Sequence, residues 1–160
     1  MADAKIYAEL KADHDRQRDL IARIEDTSRK DEERQALFDE LRKELQAHAA
    51  AEEEALYSVM LANPELRDEA RHSVSEHKEV DDLLGELVEK ETTSLFWMSK
   101  FKTMRDRYLH HIEEEEEEMF PAATKELSAE KEAEIARVFE RRKPKELARA
   151  EKELPGDARE

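Results

Sequence analysis

Two glycines in 160 residues leave little room for any fold built on tight turns. Sandwiches and barrels need a turn signal every ~8–12 residues, and glycine is the residue that enters left-handed turn conformations without strain. The chain is instead rich in Glu, Lys, Ala, Leu and Arg, which favour long amphipathic helices. Its length suits one domain. Basic residues number 28 and acidic ones 43, a net charge of −15. Such a surface argues against nucleic acid or an anionic membrane as partner, because phosphate contacts need clustered Lys and Arg. With no cysteine, disulfides, thiolate zinc sites, iron–sulfur clusters and thiol nucleophiles are all excluded. The N-terminus has no apolar signal core, and no run approaches the ~18 apolar residues of a membrane span. A soluble, cytoplasmic protein is expected. High charge also suits a disordered chain, so periodicity has to decide.

Four long segments carry an apolar stripe at helical spacing. The first, Lys5 to about Asp26, has Ile6, Leu10, Ile21 and Ile24, and the polar stretch Thr27 to Asp31 comes next as a connection. The second runs to about Ala62 with Leu37, Leu41, Leu45, Leu56 and Val59 inward, and Asn63-Pro64 stops it. The third, about Pro64 to Lys90, turns Val74, Val80, Leu84, Leu87 and Val88 inward, with Pro64 suited to its first turn. Thr92-Thr93-Ser94 offers a cap. The fourth then runs from Leu95 to about Phe120 with Trp97, Phe101, Met104, Tyr108, Ile112 and Met119. Long segments with short links predict an all-α, up-down-up-down antiparallel four-helix bundle over residues 1–126. Ser128 with Glu132, then Ile135, Val138 and Phe139, predicts a short accessory helix over 127–143. Residues 144–160 read as a charged, partly disordered tail.

Histidine falls on these stripes where leucine is expected. His14 lies between Leu10 and Ile21, His48 between Leu41 and Val59, His77 between Val74 and Leu84, and His111 one turn after Tyr108. Each helix thus turns one histidine inward. His72 shares a face with Glu65, Asp68, Glu69, Glu76 and Glu79, and His110 lies with Thr103, Asp106, Arg107 and Glu114, so both read as solvent-exposed.

Two glutamates share the buried face: His48-x-x-x-Glu52 and His111-x-x-x-Glu115 place both side chains on one side, a turn apart. Buried carboxylates are costly to desolvate and repel each other, so positive charge must be supplied inside. Among the lysines and arginines only Arg18, four residues past His14, offers itself. A metal centre answers both needs. The competing pair His110/Glu114 has the same spacing but turns Tyr108 and His111 off the seam. Four imidazoles and two carboxylates exceed the needs of one tetrahedral zinc; nitrogen and oxygen donors without sulfur suit iron or manganese. Two six-coordinate ions have about twelve positions. Bridging carboxylates, histidines and one oxygen bridge fill about ten, leaving about two for water, dioxygen, peroxide or nitric oxide. The ferritin plan of Glu-x-x-His on two helices fits badly, since Glu69-x-x-His72 is its one match and lies on a polar face.

The series His14, His48-x-x-x-Glu52, His77, His111-x-x-x-Glu115, with Asp13-His14-Asp15 early and a run of glutamates before Met119-Phe120-Pro121, resembles the hemerythrin-like (HHE cation-binding) domain over about residues 5–122. The resemblance implies a bundle holding two non-haem iron ions, oxo- or hydroxo-bridged. His14, His48, His77 and His111 would be terminal ligands and Glu52 and Glu115 bridges. Oxygen-carrying members have a second histidine four residues before the one matching His77, where this chain has Ser73. His72 lies about 140° round the helix from His77 and cannot replace it without distortion. The family's usual last ligand is an aspartate, where this chain offers Glu115. A more open site is therefore expected, one suited to reaction with O2, peroxide or nitric oxide, or to iron handling and sensing, more than to oxygen storage. Tyr108, one turn from His111, is the candidate to support a ligand by hydrogen bonding, while Trp97 and Phe101 read as core. A di-iron oxidase or peroxide-consuming enzyme and a metal-free helical interaction module stand as alternatives.

Overall fold

The computed structural model describes residues 4–26 and 30–156. Of the expected connection, Thr27, Ser28 and Arg29 lie outside the described residues, as do residues 157–160 of the expected tail. Four helical rods make an antiparallel bundle. They are α1 (Lys5–Glu25); α2 (Asp31–Glu52) continued by a first π turn (Glu53–Tyr57) and α3 (Ser58–Ala62); α4 (Arg67–Val88); and α5 (Leu95–Glu114) continued by a second π turn (Glu115–Met119) and α6 (Phe120–Glu126). A further helix, α7 (Ala129–Ala150), packs along α2 and the first π turn and against α1. Among the described residues there is no strand, and no helix is long and apolar enough to cross a membrane.

Caps fall where the sequence placed them. The Ser94 hydroxyl accepts from the Trp97 N–H at 3.0 Å and the Ser128 hydroxyl from the Lys131 N–H at 3.0 Å. Each satisfies a donor that the first helical turn leaves open.

Three boundaries differ from expectation. The second rod is not one regular helix: its π turn inserts a residue and rotates the remainder of the rod by about 100°. Tyr57 and Met60 are therefore buried, while Val59, expected inward, is half-buried. The third rod starts at Arg67, because Pro64 sits in a turn that the Leu66 N–H closes onto the Asn63 carbonyl at 3.0 Å. The Asn63 side chain caps that turn, accepting from the Glu65 N–H at 2.9 Å. Finally, α7 does not stop at residue 143 but runs through Pro144 to Ala150. Tertiary contacts offset the missing N–H: Arg42 donates to the Ala150 carbonyl at 3.0 Å and to that of Glu153 at 3.2 Å. The strap beyond α7 reaches α4, where the Gly156 N–H meets Asp81 at 3.0 Å. Gly156 has φ of +53°, and a Cβ there would lie 2.9 Å from the Asp81 carbonyl oxygen and 3.3 Å from the Cα of Gly85. The two glycines of the chain meet at this crossing.

The core has two apolar clusters. One gathers Ile6, Leu10, Leu56, Met60, Leu66, Phe120, Ile135 and Phe139; the other Ile21, Ile24, Phe38, Leu41, Leu84, Trp97, Phe101 and Met104. Each buried large side chain contributes roughly 1.5–3 kcal/mol. In the second cluster Trp97 stacks on Phe101 with centroids 5.2 Å apart and donates its indole N–H to the Leu87 carbonyl at 3.1 Å. Between the clusters lies a polar layer. On α1, His14 and Gln17 separate Leu10 from Leu20; on α2, His48 separates Leu45 from Ala51.

Candidate metal centre

The polar layer brings together six side chains: His14, His48, Glu52, His77, His111 and Glu115, all buried. They form two groups, His14/His48 and His77/His111, and both glutamates belong to each group, with potential ligand atoms within 4.8 Å of one another. Ring centroids lie 5.1 Å apart in the first histidine pair and 4.7 Å in the second. Glu115 faces both, its Oε1 3.2 Å from His14 Nε2 and its Oε2 3.4 Å from His111 Nε2. Glu52 Oε1 sits between them, 3.6 Å from His48 Nε2 and 3.3 Å from His77 Nε2. Helical i, i+4 spacing sets each His–Glu pair, and each glutamate adjoins a π turn: Glu52 precedes the first and Glu115 opens the second. Such turns often occur where a helix must present side chains in an irregular register.

Every histidine therefore turns Nε2 toward the centre. Three send Nδ1 outward to a carboxylate: His14 to Glu116 at 2.6 Å, His48 to Asp13 at 2.8 Å and His111 to Glu76 at 2.8 Å. Those partners fix ring orientation and leave Nε2 with its lone pair free to bind a cation. His77 Nδ1 is different, 3.7 Å from Glu53 and without a hydrogen bond. The Tyr57 ring stacks on His77 with centroids 5.2 Å apart, and its hydroxyl donates to Glu115 Oε2. All four Nε2 atoms, both oxygens of Glu52 and Oε1 of Glu115 have no hydrogen-bond partner. Buried polar atoms are nearly always paired. Seven orphans facing one small space match what bound cations would satisfy.

A model of the hemerythrin HHE cation-binding domain matches residues 5–123. The chain belongs to this family. The crystal structure of a hemerythrin HHE cation-binding domain-containing protein from Mycobacterium kansasii is 26% identical, with a TM-score of 0.71, covering 94% of this chain and 99% of that one. No curated protein matches the chain. Family membership and the two buried His/Glu groups together fit a metal-binding protein.

Within this HHE layer the buried groups shift one another's protonation. Burial disfavours a charged ring, yet the carboxylates facing His14 (Glu115, Glu116) and His111 (Glu115, Glu76) outweigh it and raise both pKa values to about 9. Burial lowers that of His48 to about 4, despite Asp13. Burial and the neighbouring Glu115 push Glu52 well above the ordinary carboxylate range. Glu115 itself is held well below it, because His111 and His14 overcome its burial. Glu115 thus favours the protonated form of the two rings it faces, and a bound cation could take the place of those protons.

Arg18 does not supply the internal charge. It is partly exposed, pairing with Asp15 at 3.0 Å and Glu116 at 3.2 Å. The nearby cation is Lys143 of α7, 2.6 Å from Asp13 and 3.0 Å from Glu44. Burial opposes ionisation of Asp13, but His48 and Lys143 hold it well below the usual range. Tyr108 packs 6.2 Å from the His111 ring, while its hydroxyl donates to Gln17, which donates to Glu44 at 2.7 Å. Its reach is toward the Asp13–Lys143 side, and the tyrosine that touches the centre is Tyr57. His72 and His110 are exposed, as expected.

Proposed function

We propose that this HHE protein holds two iron ions and that the pair binds or reacts with O2 or a related small oxidant such as peroxide or nitric oxide. The observation that carries this reading is the division of the layer into two histidine pairs sharing both glutamates. One ion has no use for two such sets, whereas two ions would use both, each held by one histidine pair and by the glutamates common to the two. An all-nitrogen-and-oxygen donor set favours iron or manganese over a thiolate-loving metal. His14 and His48 would serve one ion, His77 and His111 the other. Iron bound there supplies redox equivalents and coordination positions for a small molecule.

The chain's own groups do the rest. Asp13, Glu76 and Glu116 hold the outer ring nitrogens, keeping each imidazole aimed inward. Tyr57 holds its proton against Glu115 Oε2 and fixes that carboxylate between the pairs. Ser73 is buried with its hydroxyl 3.9 Å from the Met119 sulfur, so no imidazole occupies that side. The apolar clusters flank the layer above and below.

One observation favours turnover as a second reading. A cavity of about 450 Å³ between α2, α4 and the end of α7 reaches His77 and Tyr108, larger than a diatomic ligand requires. Rapid mixing of the reduced, iron-loaded protein with O2 and with H2O2 separates the readings. A reversible adduct supports binding; repeated consumption of oxidant supports the enzyme. Iron-loaded protein inert to O2, peroxide and nitric oxide would defeat both.

A further inference from the structure

We propose that Lys143 is a positioning residue for the buried centre, holding the His48 ring in place through Asp13 and so making α7 part of that centre. The inference rests on the reading of His48 as a ligand. All six inward side chains come from the four rods, whereas Lys143 comes from α7. Its Nζ lies 2.6 Å from Asp13 Oδ2, 3.0 Å from Glu44 Oε1 and 3.1 Å from Glu44 Oε2. An ammonium has three N–H donors, so these acceptors engage the whole group. Asp13 belongs to α1 and Glu44 to α2, and the lysine clamps the two helices to α7. Its side chain is 12% exposed, and its Nζ lies 5.9 Å from the centroid of the Phe139 ring, which packs edge-on to His48.

Two features set this contact apart from a surface ion pair. First, Lys143 and His48 meet at one atom: His48 Nδ1 donates at 2.8 Å to Asp13 Oδ2, the oxygen that Lys143 also holds. The other Asp13 oxygen accepts from Arg16 at 3.1 Å. A carboxylate oxygen pinned by a cation cannot turn away from the ring, so the ring proton stays on Nδ1 and the Nε2 lone pair faces inward. The second feature is burial. The Asp13 side chain is 9% exposed, against 20% for Glu116 beside His14 and 18% for Glu76 beside His111. Of the three carboxylates that hold a ring nitrogen, Asp13 thus has the greatest need of a fixed countercharge. Arg16 is largely exposed and restrains it less.

The test titrates the metal-free chain with Co(II) against a chelator of known affinity, in wild type, Lys143→Met, Asp13→Asn and the double variant. Lys143→Met should weaken binding roughly tenfold. In the Asp13→Asn background the same change should cost less than about twofold, because the carboxylate it acts through is altered. Equal losses in both backgrounds, as a merely structural lysine would give, overturn the proposal, as does no loss in either. Lys143→Gln removes the same charge and stands in if Lys143→Met does not fold. A second reading needs no metal. The His48 Nδ1 proton, followed by nitrogen-edited NMR, should exchange with water at least about tenfold faster in Lys143→Met than in wild type. Unchanged exchange would overturn the link to His48. Wild type that binds no Co(II), while Lys143→Met still speeds the exchange, would sink the metal reading alone.

Discussion

At the residue scale, the proposed centre would depend on side chains that aim or charge its ligands as much as on the ligands. Asp13 accepts from His48 and is anchored by Lys143. Replacing Asp13 with Asn should weaken metal affinity by roughly 10–100-fold, measured by competition with a chelator of known affinity; an unchanged affinity would remove Asp13 from the account. The histidines also make stability depend on pH. In metal-free protein His14 and His111 titrate near 9 rather than 6.5. Their contribution is full below pH 6.5 and is lost as pH rises through 9, because the folded state then binds more protons than the unfolded one. The melting temperature in the presence of chelator should therefore fall across that range, and a flat profile would contradict the charge assignment. Iron should reverse the trend, since ligation needs deprotonated rings. The six inward side chains were legible as residues out of place on apolar stripes. Tyr57 was not: five residues after Glu52, it lies about 140° away on a regular helix, and only the π turn brings it to the centre.

At the element scale, each π turn sets the register of the helix that succeeds it, α3 in one rod and α6 in the other. Deleting Ala55 removes the inserted residue and leaves Tyr57 four residues after Glu52, about 40° away on a regular helix, so Tyr57 and Met60 should stay inward and metal should still bind, read by elemental analysis. Loss of metal in the deletion would show that the π turn itself shapes the centre. The sequence pattern located four rods because a 3.6-residue period survives in each of them. It placed α7 too short because Pro144 reads as a stop, and the contacts that carry the helix past it come from another rod, through Arg42 and Gln46. Phe139 packs edge-on to His48 with centroids 6.1 Å apart. Phe139→Ala should cost about 3–5 kcal/mol in chemical denaturation; a loss below about 1 kcal/mol would mean that α7 is only an appendage. Gly156→Ala tests the strap beyond α7: its positive φ and the close Asp81 carbonyl predict a loss of about 1 kcal/mol or more.

At the scale of the whole molecule, two apolar clusters stabilise the bundle and enclose a polar layer between them. Most of the net charge of −15 covers the surface, but Glu52 and Glu115 face the core. Ligand binding to the folded state alone adds roughly 2.7 kcal/mol at a hundredfold excess over Kd, so iron should raise the melting temperature of wild type more than that of His48→Ala. The most direct test is the iron content of the purified chain after anaerobic loading and desalting. The account predicts about two iron ions per chain, falling to one or none in His48→Ala and Glu115→Ala while helicity is kept. Fewer than about one iron per two chains in the wild type would contradict it.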